Sequence, residues 1–264
     1  MNLSARVVGV GVHGPGLEGW DRTRAMLSGG GFLRRPTAIP TPDALPATER
    51  RRAGRSVKLA LAAGLEACAH AGLAPAATGA VFTSSSGDGE NCHAICEVLA
   101  SEERAISPTR FHNSVHNAPS GYWSIATGAT AACDCVAAYD ASFAAGLVEA
   151  LTRLAAEPRL PLVLVSYDVP YPSPLNEVRP IADAFALALV LASPGTPGAH
   201  GPKVSLTLGN GTPQRMADPA LEELRCSIPA ARALPLLDFI ARGERCTVIL
   251  EYLDGVTARV EVEP

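Results

Sequence analysis

The chain has 264 residues, 47% of them hydrophobic and 18% charged, with a formal net charge of -4. That is too apolar for a disordered chain, lacks the basic excess of a nucleic-acid binder, and is long enough to bury a sizeable core. Seven cysteines, an odd number outside any paired CxxC framework, fit a reduced compartment better than a disulfide scaffold.

The opening MNLSARVVGVGVHGPG shows no long apolar stretch and no cleavage site, and Asp, Glu or Arg interrupts every alanine-rich run. A soluble, cytoplasmic protein without membrane or nucleic-acid partners is expected. Residues 6–12 (RVVGVGV) read as a buried strand, followed by a short helix in GWDRTRAMLSGG. Residues 30–50 lack periodicity and read as a loop. Residues 55–72 read as a helix, with Leu59, Ala62, Ala63 and Ala67 at helical spacing and Gly72 as its stop.

AVFT at 80–83 is a strand running into SSSGDGE, and a helix follows through CHAICEVLASE. Residues 106–127 form a loop that turns helical near Pro119, since proline is welcome in a first turn. Residues 140–156 are a helix with Asp140 near its start. LPLVLVS and ADAFALALVLAS hold bare apolar strands, so a mostly parallel, two-faced α/β sheet is expected. Beyond Pro194, KVSLTLGNG is an alternating strand and 217–241 is helical. TVILEYLDGVTARVEVEP is two strands joined at Asp254-Gly255.

Several motifs invite chemistry and are better explained otherwise. Gly9-x-Gly11-x-x-Gly14 fits a dinucleotide fingerprint, but Pro15-Gly16 stands where the phosphate-binding helix should open, and no acidic residue follows at the right distance. A tight turn is the expected use of these glycines. Cys92-His93-x-x-Cys96 and Cys133-x-Cys135 match no zinc spacing, so neither metal nor cofactor is expected. Ser84, Ser85 and Ser86 lack a G-x-S-x-G elbow. His112, Asn113, His116 and Asn117 make a dense polar cluster in RFHNSVHNAPSGYW, best read as fixing a loop or a subunit contact.

In order along residues 5–195, these segments resemble the amino-terminal half of β-ketoacyl synthases. RVVGVGVHGPGLEGWDRTRAMLSGG resembles their opening strand, turn and helix. RSVKLALAAGLEACAHAGL and AVFTSSSGDGE resemble the helix, second strand and glycine turn that follow. DASFAAGLVEALTRL resembles the nucleophile helix and ADAFALALVLAS the closing strand. HNSVHNAPSGYWSIATG is the most specific stretch and is similar to short chain-length-factor-like proteins of aryl polyene-type type II polyketide systems. The resemblance implies a thiolase-like α/β fold with a nearly complete first half in residues 1–195. Residues 196–264 would be a truncated second half packed on the same domain.

Departures from the family pattern carry the functional expectation. An active member opens its central helix with a cysteine in Thr-Ala-Cys-x-Ser; counted without gaps from Asn117 and Gly121, this chain has Ala138-Tyr139-Asp140-Ala141-Ser142. Asp140 stands in the cysteine's place. A carboxylate suits a helix N-terminus. It is a poor nucleophile toward a thioester, because the anhydride formed would lie higher in energy. The family also takes two histidines from its second half, whereas only His200 follows Asp140.

The resemblance therefore implies a non-catalytic, chain-length-factor-like subunit. It would pair with an active ketosynthase through the strand near the nucleophile turn and shape its acyl tunnel. The loop at residues 109–117 would supply Arg110 and Phe111 to close the tunnel, with His112, Asn113, His116, Asn117, Tyr122 and Trp123 at the gate or interface. Two rivals remain at this point. One is an acyl hydrolase or acyltransferase using Asp140 or Cys135 with His112 or His116. The other is a homodimeric scaffold holding acidic acyl carrier proteins through Arg50, Arg51, Arg52 and Arg55.

Overall fold

Small residues meet small residues at the centre of the molecule, and that contact explains most of its layout. The computed structural model describes residues 3–264. β1 (Leu3–Gly14) lies antiparallel to β6 (Phe185–Ala192), and α3 (Arg55–His70) packs across both. A Cβ on Gly9 would stand 2.2 Å from the Ala67 carbonyl oxygen, and one on Gly11 would stand 2.2 Å from that of Ala63. These glycines are therefore strand residues that admit a helix backbone. They do not form the turn expected from the sequence, which lies at Gly16 with φ +74°. On β6, Ala186, Ala188 and Val190 face α3, while Phe185, Leu187, Leu189 and Leu191 face the opposite layer. The alternation of FALALVLA thus sorts a thin contact on one face from a thick one on the other.

Glu66 of α3 fastens this centre. Its carboxylate accepts the Val12 amide at 2.9 Å and the Trp20 amide at 2.5 Å, so it caps α1 (Trp20–Leu27), whose own N-cap Gly19 has no side chain.

The described residues build one nine-stranded sheet in the order β4-β3-β5-β6-β1-β7-β9-β8, with β2 (Leu17–Glu18) paired to β1. Its members are β3 (Gly79–Thr83), β4 (Cys133–Val136), β5 (Leu162–Asp168), β7 (Lys203–Gly209), β8 (Cys246–Leu253) and β9 (Val256–Glu263). Only the β3–β4 and β3–β5 pairs are parallel; every other pair is antiparallel. The expectation of a mostly parallel sheet fails because β6 returns antiparallel between β5 and β1. A strand buried on both faces reads as a bare apolar run whatever its direction.

α7 (Ser142–Ala156) lies on the face opposite α3 and touches both β3 and β8, which are far apart along the strand order. The sheet therefore curls around α7. α9 (Pro219–Ser227) and α10 (Leu234–Arg242) join the same core. Past β1 the sheet is covered on one face only. Ala258, Val260 and Val262 of β9 are buried, while Arg259 and Glu261 are exposed.

Four local expectations need correction. The stretch 30–50 runs into a helix, α2 (Ala47–Arg52), and the loop at 106–127 contains α5 (Pro108–Asn113) before α6 (Ala118–Thr127). The central helix begins at Ser142, after a 3-10 turn at Tyr139–Ala141, so Asp140 precedes it. The helical stretch 217–241 is broken by a second 3-10 turn at Pro229–Ala233. β4 carries no apolar run to announce it, since CDCV is an edge strand of half-buried residues.

β5 ends on Asp168, which is fully buried. It accepts from Ser84 Oγ at 3.0 Å and from the amides of Ser85 and Ala230 at 2.9 Å each, joining the turn after β3 to the second 3-10 turn. Burial lifts its pKa from the ordinary 3.8 to about 7, against the pull of those hydrogen bonds.

Two outcomes are expected. Gly11→Ala forces a Cβ into helix backbone that cannot swing aside, and should cost about 3 kcal/mol in urea denaturation; a loss below about 1 kcal/mol would contradict this packing account. A raised folded-state pKa means that the folded chain holds a proton at Asp168 that the unfolded chain releases. Its contribution is full below about pH 4 and is lost as the pH rises to about 7. The stability gap between the native chain and Asp168→Asn should therefore shrink across that window, and a constant gap would overturn the assignment.

Candidate functional site

The mutually parallel strands β4, β3 and β5 end together at Val136, Thr83 and Asp168, the side of an α/β sheet where ligand sites usually form. Between β4 and α7 the chain makes a tight elbow. Tyr139 takes φ +53°, unusual for a side-chain-bearing residue. Ser142 Oγ holds the elbow closed, accepting from the Ala138 amide at 3.0 Å and donating to the Tyr139 carbonyl at 2.7 Å. From beneath, Thr83 Oγ1 donates to the Ser142 carbonyl at 2.6 Å.

Asp140 sits at this elbow between two arginines. Arg179 donates to Oδ1 at 3.0 Å and Arg232 donates to Oδ2 at 3.2 Å. Arg179 also donates to Ser85 Oγ at 2.6 Å and stacks 3.4 Å above the Tyr139 ring. Arg232 pairs with Glu251, which also takes Arg225 at 3.2 Å, and Arg225 pairs with Glu222 at 2.8 Å. The Arg225 hydrogen bond holds the Glu222 carboxyl down to about 2. A cleft of about 500 Å³ opens beside the elbow, lined by Tyr139, Asp140, Glu251, Tyr252, Asp254 and Thr257 among others.

The pairs required by a nucleophilic enzyme do not come together. Among the described residues no histidine is hydrogen-bonded to Asp140 or Cys135. His116 Nε2 meets the Ser84 carbonyl oxygen at 3.2 Å, and His112 packs edge-on against Tyr122. Cys133 and Cys135 lie on β4 facing α6 near Ser120, away from the elbow. The hydrogen bond with Cys133 pulls the Cys135 thiol below its ordinary value and pushes Cys133 up. Among the described residues no three His, Cys, Asp or Glu side chains are grouped as metal ligands. No helix there is long and apolar enough to cross a membrane.

The remaining sequence candidates divide by depth. Tyr122 and Trp123 are each 1% exposed, with Trp123 edge-on to Phe82 and Tyr122 donating to Asn113 Oδ1 at 3.1 Å. Asn113 is buried as well, and its amide donates to the Arg52 carbonyl. These three hold α5 and α6 from below. Arg110, Phe111, His112 and Asn117 are exposed and His116 is half-buried. Phe111, Val115 and Ile125 crop out as large apolar side chains, and a hollow of about 580 Å³ runs among them. A second groove, of about 690 Å³, is lined by Arg51, Arg52, Arg55, Lys58 and Arg110, with Asp88 and Glu90 also in its wall. Sequence reading missed Arg179, Arg232 and Glu251, because nothing local announces residues that meet only in the folded chain.

The family model of the beta-ketoacyl synthase N-terminal domain matches residues 25–249. No protein of curated function matches the sequence. A chain from the complex of the ketosynthase ApeO with its chain length factor ApeC, from Xenorhabdus doucetiae, superposes with a TM-score of 0.74 at 24% identity, over 98% of this chain and 99% of that one. The ishigamide ketosynthase/chain length factor gives 0.74 at 14%, over 98% and 99%. AntDE:AntF, a type II acyl-carrier protein in complex with its ketosynthase, gives 0.76 at 12%, over 100% and 99%. At these identities the structures speak for the fold alone. It is the thiolase-like α/β fold of ketosynthases, with a nearly complete first half and a second part reduced to three strands and two helices. The chain belongs to the β-ketoacyl synthase family.

Proposed function

We propose that this chain is a non-catalytic, chain-length-factor-like subunit that pairs with an active β-ketoacyl synthase and shapes its acyl tunnel. The pathway would be polyketide or fatty-acid-type synthesis of the aryl polyene kind, in the cytoplasm. The observation that carries the reading is the elbow itself: in the 3-10 turn just before the central helix stands Asp140, neutralised by two guanidiniums. Such a carboxylate is committed to ion pairs and cannot exchange with a thioester as a thiolate does.

The surface supports a partner. β4 pairs with β3 on one side only, leaving a free edge that a partner strand can continue. Beside it, Phe111, Val115 and Ile125 offer apolar area next to Arg110, His112 and Asn117. On this reading Arg110 and Phe111, on α5, reach the end of the partner's tunnel and set chain length by steric stop. Asn113, Tyr122 and Trp123 act from inside by holding α5 and α6 in place. Residues 1–195 form the ketosynthase-like part, and 196–264 complete the same domain. An acyl carrier protein is a further partner, its acidic surface suited to the groove of Arg51, Arg52, Arg55 and Lys58.

Co-expression with an active ketosynthase of the same organism should give a one-to-one complex by native mass spectrometry, and Ile125→Glu should weaken it at least tenfold. A ketosynthase that stays soluble, dimerises with itself and ignores this chain would end the proposal. Within the complex, Phe111→Ala should lengthen the product, and an unchanged product length would remove the tunnel role.

A further inference from the structure

The setting of Asp140 is that of a bound ligand more than of a surface side chain. Each carboxylate oxygen takes its own guanidinium, at 3.0 Å from Arg179 and 3.2 Å from Arg232. Both arginine side chains are only 20% exposed, while that of Asp140 is 38% exposed and borders the 500 Å³ cleft. Arg179 is held independently of Asp140, by Ser85 Oγ at 2.6 Å and by the Tyr139 ring. Arg232 is held independently by Glu251. The receptor is therefore organised whether or not the carboxylate is present.

The charges say the same. Arg225 and Arg232 have Glu222 and Glu251 as partners, whereas Asp140 is the carboxylate that balances Arg179. Without it, a half-buried guanidinium behind the cleft wall is left uncompensated, a costly arrangement that an outside anion relieves. Spare donors wait nearby: Arg232 Nε, and Thr257 Oγ1 in the cleft lining, are both buried without a hydrogen-bond partner.

We propose that Arg179, Arg232 and Ser85 form a carboxylate-binding site, lying behind the cleft wall at Asp140, that the chain keeps shut with that Asp140 as a tethered ligand. The ligand class is a small carboxylic acid anion, which enters only by displacing that side chain. The proposal stands apart from the partner role, because it concerns the chain alone.

Acetate is the probe. Thermal unfolding of the native chain and of Asp140→Ala is compared in sodium acetate and sodium chloride at equal ionic strength. Acetate tenfold above its Kd should raise the Tm of the variant by about 3 °C. The native chain should not respond, and adding Arg179→Gln should abolish the variant's response. Equal shifts in both proteins, no shift in the variant, or a shift that survives Arg179→Gln would overturn the site. If Asp140→Ala does not fold in chloride, acetate should restore its folding during dilution from urea, and failure to do so counts against the proposal equally. Loss of this site leaves the co-expression result untouched, so the two readings fail separately.

Discussion

The close approach of α3 to the glycines of β1 is the constraint from which the other placements follow. With Gly9 and Gly11 beneath it, the helix backbone lies almost on the sheet, and the alanines of β6 extend that thin contact. The large side chains of β1 and β6, with Leu162 and Leu164 of β5, lie on the other face, where α7 covers them. Once α7 is set across the sheet, its first residues stand at the ends of β3, β4 and β5. The geometry of the elbow thus follows from a helix–strand contact on the opposite face of the same sheet.

An elbow of this kind aims whatever residue it carries at the space above the strand ends, and here the surroundings are organised around a carboxylate. Ser85, Arg179, Arg232 and Glu251 come from four separate segments and converge on Asp140 through alternating charges. A half-buried carboxylate with no such partners would carry a desolvation cost. The two arginines meet that cost, and in doing so the network ties the β8–β9 hairpin and the second 3-10 turn to the elbow. A catalytic thiol would need neither guanidinium. The charge at this position and the attachment of the second part of the chain are therefore coupled.

Much of the first half was legible in the sequence because its elements are announced by periodicity: the alanine-rich α3, the bare strands β5 and β6, the hairpin at Asp254-Gly255. What stayed hidden shares a different physical character. CDCV gives no strand signal because an edge strand is only half buried. The direction of β6 was unreadable because burial on both faces erases the alternation that marks an antiparallel strand. The glycines of β1 were misread as a turn because their purpose lies in a helix some fifty residues away. At the site, Asp140 could be found by counting along the chain, but its partners could not, since residues 85, 179, 232 and 251 are adjacent only in the fold.

The free edge of β4 and the charged elbow lie at opposite ends of one short stretch, from Cys133 to Asp140. Sheet continuation through β4 needs backbone groups in strand geometry and tolerates wide variation in side chains. Thioester chemistry needs one side chain and almost nothing else at that position. The two demands are thus separable within eight residues, since the strand, the turn and the helix are set by backbone geometry and the chemistry by one side chain. The ion pairs that steady Asp140 also steady the elbow, and the elbow sets where β4 ends and α7 begins. The ion pairs of Asp140 and the free edge of β4 are then parts of one short structural unit, steadied by the same residues.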